Sequence, residues 1–426
     1  MTNRCASGLW AIAYPLMLLT CLSLGCGSDP STPEPSAAPM PDSAAATHDA
    51  PSIKPEPPPR PTAPLWPTYH GPASLCGYAD VSIADTLEPR WRAELGAEVS
   101  KTPVADNERI YAANSNGEIH ALDFSGKPIW TRALTETLVE GKPPSAASID
   151  APLALFESTL IACSSGGTVF ALDPATGETR WESNAHVPLL GSPNLAILDT
   201  SEANPRRLLL IDQAQGSLHA LDFDTGKPIW KSKGIARCDG SPAATAEVVI
   251  FGSCNAALHF FSTKDGSLVR EVDMGTDCEI AGGVALSGDS AYSGSRCGKF
   301  VQVNVRTGAI VWENTECEGE AMETPAVSES SVAFTANDGC VYLLERASGK
   351  LKWRTKLEDT PSSPVLVRNK VVVSADGKLH VLALEDGRVL WSYEVSDEIS
   401  SPAIVGELVV VGCDDGSVAA FGSKGA

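Results

Sequence analysis

Basic side chains are scarce in this chain. Lysine and arginine total 32 against 53 aspartates and glutamates, which gives a formal net charge of -21. A field of that sign repels a phosphate backbone, so the sequence excludes nucleic acid as a partner. Long apolar runs are equally scarce, because the stretch at residues 10–24 is too short and too close to the N-terminus to be a comfortable membrane span.

Motifs for metal binding, haem attachment and nucleophilic catalysis are also missing. The cysteines include no Cys-x-x-Cys pair, which weighs against a zinc site and excludes attached c-type haem. No Ser/His/Asp arrangement and no phosphate-binding loop is recognisable. The sequence therefore predicts no catalytic residues and no metal site.

The first 65 residues have the composition of export and tethering segments. Arg4 precedes the apolar run, as in a secretory signal over residues 1–25. The run Leu22-Ser23-Leu24-Gly25-Cys26 resembles the bacterial lipobox and predicts lipidation of Cys26. Residues 26–65, rich in proline, alanine and serine, predict a disordered tether. We expect an exported protein anchored by lipid to the outer membrane of a Gram-negative bacterium, on the periplasmic side or the cell surface; an ordinary cleaved signal is the alternative.

One sequence motif recurs along residues 66–426. It is a turn that ends in glycine and is followed four residues later by tryptophan. It is clearest in Asp173-Pro-Ala-Thr-Gly-Glu-Thr-Arg-Trp181. Seven turn glycines, from Gly126 to Gly387, are 51, 49, 40, 42, 41 and 38 residues apart, the length of one four-stranded propeller blade. Six of them are followed by the tryptophan; the copy at Gly266 is decayed and has Arg270 in that position. Eight segments open the repeats, near Thr102, Pro144, Ser192, Ser241, Gly282, Thr324, Ser363 and Ser401.

The two ends of the repeat region complement each other. The eighth repeat ends at Phe421 without its tryptophan strand, and Trp91 lies on a tryptophan strand with no repeat before it. If this N-terminal strand completes the last blade, the two ends of the repeat region are joined and the ring of blades is closed. We therefore predict an all-β fold, an eight-bladed β-propeller of four-stranded antiparallel blades over residues 66–426, closed by the N-terminal strand.

The repeat tryptophans occupy one equivalent position in successive blades, so most of them cannot face a single ligand. We predict that they pack between blades: Trp91, Trp130, Trp181, Trp230, Trp312, Trp353 and Trp391. Four histidines, at 120, 219, 259 and 380, share another repeat position, which holds Phe, Tyr, Val or Ala in other blades. That position is therefore predicted to serve packing rather than metal binding.

Six cysteines fall in two loop types that a propeller places on one face. Cys238, Cys278 and Cys317 precede innermost strands, and Cys254, Cys297 and Cys340 lie at turns between second and third strands. We predict bridges within blades, Cys238 with Cys254, Cys278 with Cys297, and Cys317 with Cys340. Pairing across blades, such as Cys254 with Cys278, stays open as the alternative.

Acidic residues recur just before the innermost strands in seven of the eight repeats. They are Glu98, Glu140, Asp239, Glu279, Glu323, Asp359 and Glu398. These loops ring one mouth of the central channel, and an acidic rim there would recruit a basic partner segment or a divalent cation. The alternative is the ordinary acidity of solvated loops in an acidic protein.

The phrase Ala-Leu-Asp-x-x-Thr-Gly-x-x-x-Trp, repeated around a ring, resembles the pyrroloquinoline-quinone (PQQ) repeat. Together with the lipobox and the length, it makes the chain similar to the β-barrel assembly lipoprotein B (BamB-like) family of eight-bladed outer-membrane scaffolds. The resemblance implies a non-catalytic, lipid-anchored scaffold without cofactor. Its implied partners are envelope proteins, with the β-barrel assembly machinery among them, and its contact with the membrane is through the lipid anchor alone.

The same repeat also serves PQQ-dependent dehydrogenases, which leaves an enzyme as the alternative function. Many of these enzymes carry adjacent cysteines over the quinone, and this chain has no Cys-Cys pair. PQQ and calcium are therefore not expected. A surface-displayed binding module for another polymer or protein is a further alternative.

Overall fold

The structure, a computed structural model, describes residues 66–137, 143–199 and 205–424. These residues form eight antiparallel four-stranded blades in one ring, and blade 7 gains a fifth, parallel strand. The predicted eight-bladed β-propeller is confirmed. Within the described ranges, no helix has the length and apolarity needed to cross a membrane. The predicted signal peptide, Cys26 and the tether lie outside the described residues.

Blades 1 to 4 follow the chain from the channel outward. Blade 1 comprises β3 (Val104–Ala105), β4 (Ile110–Ala113), β5 (Glu118–Leu122) and β6 (Pro128–Ala133); blade 2 comprises β9 (Ala154–Phe156), β10 (Thr159–Cys163), β11 (Thr168–Leu172) and β12 (Thr179–Asn184). Blade 3 comprises β13 (Asn194–Ile197), β14 (Arg206–Asp212), β15 (Ser217–Asp222) and β16 (Pro228–Lys231); blade 4 comprises β17 (Ala243–Ala244), β18 (Val248–Ser253), β19 (Ala257–Ser262) and β20 (Leu268–Asp273).

Blades 5 to 8 repeat the same order. Blade 5 comprises β21 (Ala285–Ser287), β22 (Ser290–Gly294), β23 (Phe300–Asn304) and β24 (Ile310–Asn314); blade 6 comprises β25 (Ala326–Val327), β26 (Ser331–Ala336), β27 (Cys340–Glu345) and β28 (Leu351–Lys356). Blade 7 comprises β29 (Val365–Val367), β30 (Lys370–Ala375), β31 (Lys378–Ala383) and β32 (Val389–Glu394), with β1 (Tyr78–Ala79) beside β29; blade 8 comprises β33 (Ala403–Val405), β34 (Leu408–Gly412), β35 (Ser417–Gly422) and β2 (Glu88–Glu94).

The strands of a blade differ in burial according to their distance from the channel. Every residue of β10 and β11 is buried, whereas most residues of the outermost β6 are exposed. Middle strands are covered by a neighbouring blade on both faces, which explains their continuous apolar sequences. The core therefore lies between blades rather than in one central cluster.

The ring is closed by the N-terminal strand. β2 pairs antiparallel with β35, with Trp91 opposite Ala420 and Arg92 opposite Ala419. The outermost strand of blade 8 thus comes from the N-terminal end of the propeller and its other three strands from the C-terminal end, as predicted.

The predicted opening of the second repeat near Pro144 is wrong. The segment after blade 1 forms its own short hairpin, β7 (Thr135–Glu136) with β8 (Ser145–Ala146). The innermost strand of blade 2 begins later, at Ala154, after an Ala-Pro pair in place of Ser-Pro. The extra length between the first two turn glycines reflects this hairpin, which a fixed repeat spacing does not reveal.

Each repeat tryptophan packs against the next blade. Trp130 Nε1 donates to the Pro174 carbonyl at 3.0 Å, and a Cβ added to Gly177 would lie 2.7 Å from the Trp130 ring. Equivalent bonds to the next blade are made by Trp91, Trp181, Trp230, Trp312 and Trp353. Glycine is needed at this turn for two reasons, its φ of 72° at Gly177 and the ring lying against it.

Candidate functional site

The loops that enter the innermost strands share one face of the ring, the upper face, with the turns between second and third strands. Backbone hydrogen bonds join the two loop types: Ser115 N to Glu98 O at 2.9 Å, Cys254 N to Arg237 O at 2.8 Å, and Arg296 N to Glu279 O at 2.8 Å. The opposite, lower face carries the remaining turns. The predicted rim acids in the described residues therefore belong to one face.

The rim acids differ in exposure. Glu98, Asp359 and Glu398 are exposed, whereas Asp239, Glu279 and Glu323 are partly buried. Glu140 lies outside the described residues. Asp239 is neutralised locally, because its Oδ1 is 2.8 Å from Arg237 Nε.

Further acids join the rim on half of the ring, and we name this set the acidic crescent. It consists of upper-face residues of blades 5 to 8: Asp277, Glu279, Glu316, Glu318, Glu320, Asp338, Glu358, Asp359, Asp376, Asp397, Glu398, Asp414 and Asp415. The bases among them are fewer and partly engaged, as in Arg296 with Glu320 at 3.0 Å and Arg354 with Glu318 at 2.5 Å. The upper face therefore presents a one-sided negative field.

A segment that the sequence analysis treated only as the start of the propeller crosses the interior of the ring. We name Trp66–Ala79 the strap. Its carbonyls at Pro67, Ser74, Cys76 and Gly77 accept hydrogen bonds from the innermost strands of blades 2, 5, 6 and 7 at 2.7 to 2.8 Å. Trp66 exchanges two backbone bonds with Ala105 of blade 1, at 3.2 and 2.9 Å.

The strap also contacts blades 3 and 4. Asn194 Nδ2 of blade 3 donates to the Ala73 carbonyl at 2.8 Å, and the Ala244 amide of blade 4 donates to the same carbonyl at 3.5 Å. These contacts lie along the short innermost strands, so the strap lines the inner wall of blades 1 to 7. The aromatic residues and glycines directly after the predicted tether were the only sequence signal for the strap, and they belong to no repeat.

Polar groups of the strap and the inner wall meet inside the channel. The Tyr69 hydroxyl is 2.7 Å from Thr324 Oγ1, and Ser241 lies within hydrogen-bonding reach of the same hydroxyl. Ser363 Oγ donates to Glu323 Oε2 at 2.7 Å. Burial raises the pKa of Tyr69 to about 12. Burial also raises the pKa of Glu323, although hydrogen bonds from Ser363 oppose that shift.

The histidine position contains an arrangement that resembles a catalytic triad. His259 Nε2 is 2.7 Å from Ser253 Oγ, and its Nδ1 is 3.1 Å from the Glu271 carboxylate. Ser253 and His259 are completely buried, so a substrate has no path to the hydroxyl. Burial lowers the pKa of His259 despite the neighbouring carboxylate. His380 instead uses Nδ1, which is 2.7 Å from Ser392 Oγ on the outermost strand, so histidines at this position bond hydroxyls inside their own blade.

The structure contains the disulfide between Cys278 and Cys297, with Cα atoms 4.7 Å apart. Because Cys278 is bonded within its own blade, the alternative Cys254–Cys278 bridge is not formed. Cys238, Cys317 and Cys340 are thiols in the structure. The other two within-blade bridges, Cys238 with Cys254 and Cys317 with Cys340, stay predictions.

No group of three or more His, Cys, Asp or Glu side chains in the described part of the chain is placed to hold a metal ion. Pyrroloquinoline quinone, the cofactor of the dehydrogenases that share this repeat, is a planar tricarboxylate. Six of the seven repeat tryptophans are engaged by the next blade through their Nε1 groups, and the inner wall presents the Glu323 carboxylate. Neither the tryptophans nor Glu323 supplies a positive charge for an anionic aromatic cofactor.

The fold and the repeat together define a PQQ-repeat β-propeller. A family model described as outer membrane protein assembly factor BamB matches residues 165–278 and 254–426. The matched ranges cover more than half of the chain, so the protein belongs to this family.

Individual relatives carry the same description. The outer membrane protein assembly factor BamB of Yersinia pestis is 34% identical over 83 residues, which is 20% of this chain and 21% of that protein. BamB of Bordetella pertussis is 23% identical over 275 residues, which is 64% of this chain and 58% of that protein. The alignments thus span about a fifth and somewhat over half of these relatives' lengths.

Solved structures share the architecture. BamB from Moraxella catarrhalis superimposes with a TM-score of 0.65 at 18% identity, covering 79% of this chain and 100% of that one. A europium-containing methanol dehydrogenase gives a TM-score of 0.68 at 11% identity, covering 84% of this chain and 98% of that one. At such identities the likeness concerns the fold alone, because scaffolds and dehydrogenases share it.

Proposed function

We propose that this protein is a non-catalytic, lipid-anchored scaffold of the cell envelope that takes part in outer-membrane protein assembly. Membership of the BamB family carries this proposal, because those relatives are named outer membrane protein assembly factors. The lipobox ending at Cys26 supports anchoring by lipid. The buried state of Ser253 and His259 supports a role without catalysis.

The acidic crescent is the docking surface in this proposal. Its partner is a basic segment of another envelope protein, drawn to the upper face by long-range attraction and held there by charge pairs. A rigid ring that binds through loops on one face needs no conformational change to act as a scaffold.

Capture of the full-length lipoprotein from envelopes tests this function. We expect components of the β-barrel assembly machinery to co-purify, and to be lost when three exposed crescent acids are reversed, Glu316→Lys, Asp359→Lys and Glu398→Lys. The matched control reverses three exposed acids at turns of the lower face, Glu247→Lys, Glu329→Lys and Glu407→Lys. Capture that survives crescent reversal, or that ignores ionic strength, would contradict the proposal.

The dehydrogenase alternative has a separate test. The purified protein is mixed with PQQ and calcium, and saturable binding is measured; a primary alcohol is then added as the electron donor, and dye reduction is measured. We expect neither, because the channel wall carries the Glu323 carboxylate and most repeat tryptophans are held between blades. Protease accessibility on intact cells then distinguishes a periplasmic scaffold from a surface-displayed binding module.

A further inference from the structure

The inner wall of blade 6 presents a carboxylate with no cationic partner among the described residues. Glu323 lies three residues before Ala326, the first residue of β25, and the equivalent residues of blades 3 to 5 are glycines: Gly191, Gly240 and Gly282. Crescent acids such as Glu320 and Glu358 form ion pairs, with Arg296 and Lys378 respectively. Glu323 therefore combines partial burial with the absence of a counter-charge in the part of the chain that the structure describes.

Hydroxyl groups hold that carboxylate in one orientation. The Thr324 amide donates to Ser363 Oγ at 3.2 Å, which leaves the Ser363 proton for Glu323 Oε2 at 2.7 Å. The Ser363 backbone amide also donates to the carboxylate, so both groups that hold it are neutral and neither supplies a positive charge. An acid that has lost water without gaining a cation is destabilised in its charged form, which matches the raised pKa of Glu323.

Glycines of blade 5 bring the backbone close to this group. A Cβ at Gly283 would lie 2.9 Å from the Tyr69 hydroxyl, and a Cβ at Gly282 would lie 2.8 Å from the Glu323 carbonyl. The wall from blade 5 to blade 6 is thus close-packed, with Tyr69 of the strap against it. The groups gathered here are acceptors: hydroxyl oxygens and one carboxylate.

We propose that this set, Tyr69, Ser241, Glu323, Thr324 and Ser363, forms a recess that binds one lysine or arginine side chain of the basic segment docked on the acidic crescent. The inference rests on the proposed function and adds which type of side chain the partner places in the channel. A lysine ammonium offers three donors, which suit a carboxylate and two hydroxyl oxygens. The crescent supplies attraction over a distance, and the recess selects the register of the bound segment.

Isothermal titration of the full-length protein in detergent with a tetra-lysine peptide tests the recess. We expect Glu323→Gln to weaken binding at least tenfold, because the amide keeps the Ser363 contact but carries no charge. The matched control, Glu398→Gln, removes one exposed crescent charge and should weaken binding less than threefold. Lys101→Ala should strengthen binding, since Lys101 is the basic residue that directly precedes Thr102 on blade 1. A fully Nε-acetylated tetra-lysine peptide should not bind.

Equal weakening by Glu323→Gln and Glu398→Gln would overturn the recess, as would tight binding of the acetylated peptide or no binding of tetra-lysine to the unaltered protein. Each of these results leaves the scaffold function to be judged by the envelope capture, which uses other variants. If Glu323→Gln lowers the melting temperature, Ser363→Ala replaces it, and a threefold loss of tetra-lysine affinity is then expected. Unchanged affinity in that variant would equally count against the recess.

Discussion

Ring closure makes Trp91 a sharper test of the fold than any other repeat tryptophan. Its Nε1 donates to the Phe124 carbonyl of blade 1 at 2.8 Å, and a Cβ at Gly126 would lie 2.5 Å from its ring. Trp91 thereby joins the closing strand of blade 8 to the first blade. Trp130 makes the same contacts between blades 1 and 2, but its own strand continues a sequential hairpin.

Trp91→Ala removes a half-buried indole and one hydrogen bond. A tryptophan-to-alanine change in a core costs about 3–5 kcal/mol, and partial exposure of Trp91 places it near the lower value. The lost hydrogen bond adds about 1 kcal/mol. We expect the free energy of unfolding to fall by about 4 kcal/mol, and Trp130→Ala, the matched control, to show a similar loss.

Hydrogen exchange separates the two variants. Trp91→Ala should speed amide exchange in β2, in β35 and in the strap, because β2 is held to blade 8 only by contacts distant in sequence. Trp130→Ala should speed exchange in β6 and the adjoining turn of blade 2, and leave β35 unchanged. Equal exchange of β35 in the two variants, or a stability loss below about 1 kcal/mol for Trp91→Ala, would refute the reasoning.

Three further substitutions have expected results. Cys278→Ser removes the bridge to Cys297, whose sequence separation is 19, and should lower the free energy of unfolding by about 3 kcal/mol in denaturant titrations; unchanged stability would contradict the bridge. Gly177→Ala should lower the melting temperature more than Gly96→Ala, since both have positive φ but only at Gly177 would a Cβ meet a tryptophan ring; equal losses would assign the effect to backbone strain alone. Burial lowers the pKa of His70 to about 4, so the folded state should lose stability, by about 3 kcal/mol, as pH falls from about 6.5 towards 4; His70→Gln should flatten that dependence in urea titrations at the two pH values.

The repeat architecture was predictable because each blade is specified locally. The turn before Trp181 shows why: the Asp173 carboxylate accepts the Ala175 amide at 2.8 Å and Gly177 supplies the positive φ, all within nine residues. Closure was predictable from a different signal, an unpaired strand at each end. Both predictions depend on motifs that a single sequence displays.

The channel cluster was only partly predictable. Glu323 was recognised as a rim acid and Thr324 as the start of an innermost strand, but their relation to Tyr69 depends on the strap. The strap binds seven blades mainly through backbone groups, which carry no sequence signature. Long-range contacts of this kind are visible only when the ring is assembled.

In blade 4 a residue other than tryptophan makes the contact to the next blade. Arg270 occupies the tryptophan position, donates to the Val305 carbonyl of the next blade and lies 5.6 Å over the Phe260 ring. The residue at this position therefore needs an N–H donor and a flat surface, which a guanidinium supplies as well as an indole. The sequence indicates a decayed repeat here, whereas the structure shows an intact link between blades.

The strap and the closing strand join the ring in different ways, although both come from residues 66–94. β2 seals the outer edge of blade 8 by antiparallel pairing, and the strap ties the inner ends of blades 1 to 7. Eight similar blades therefore depend on one stretch of chain outside the repeats for closure at the rim and at the channel. Because the same stretch supplies Tyr69, the channel cluster is complete only when the strap is in place, and a ring without the strap would retain its acidic crescent but lose the recess.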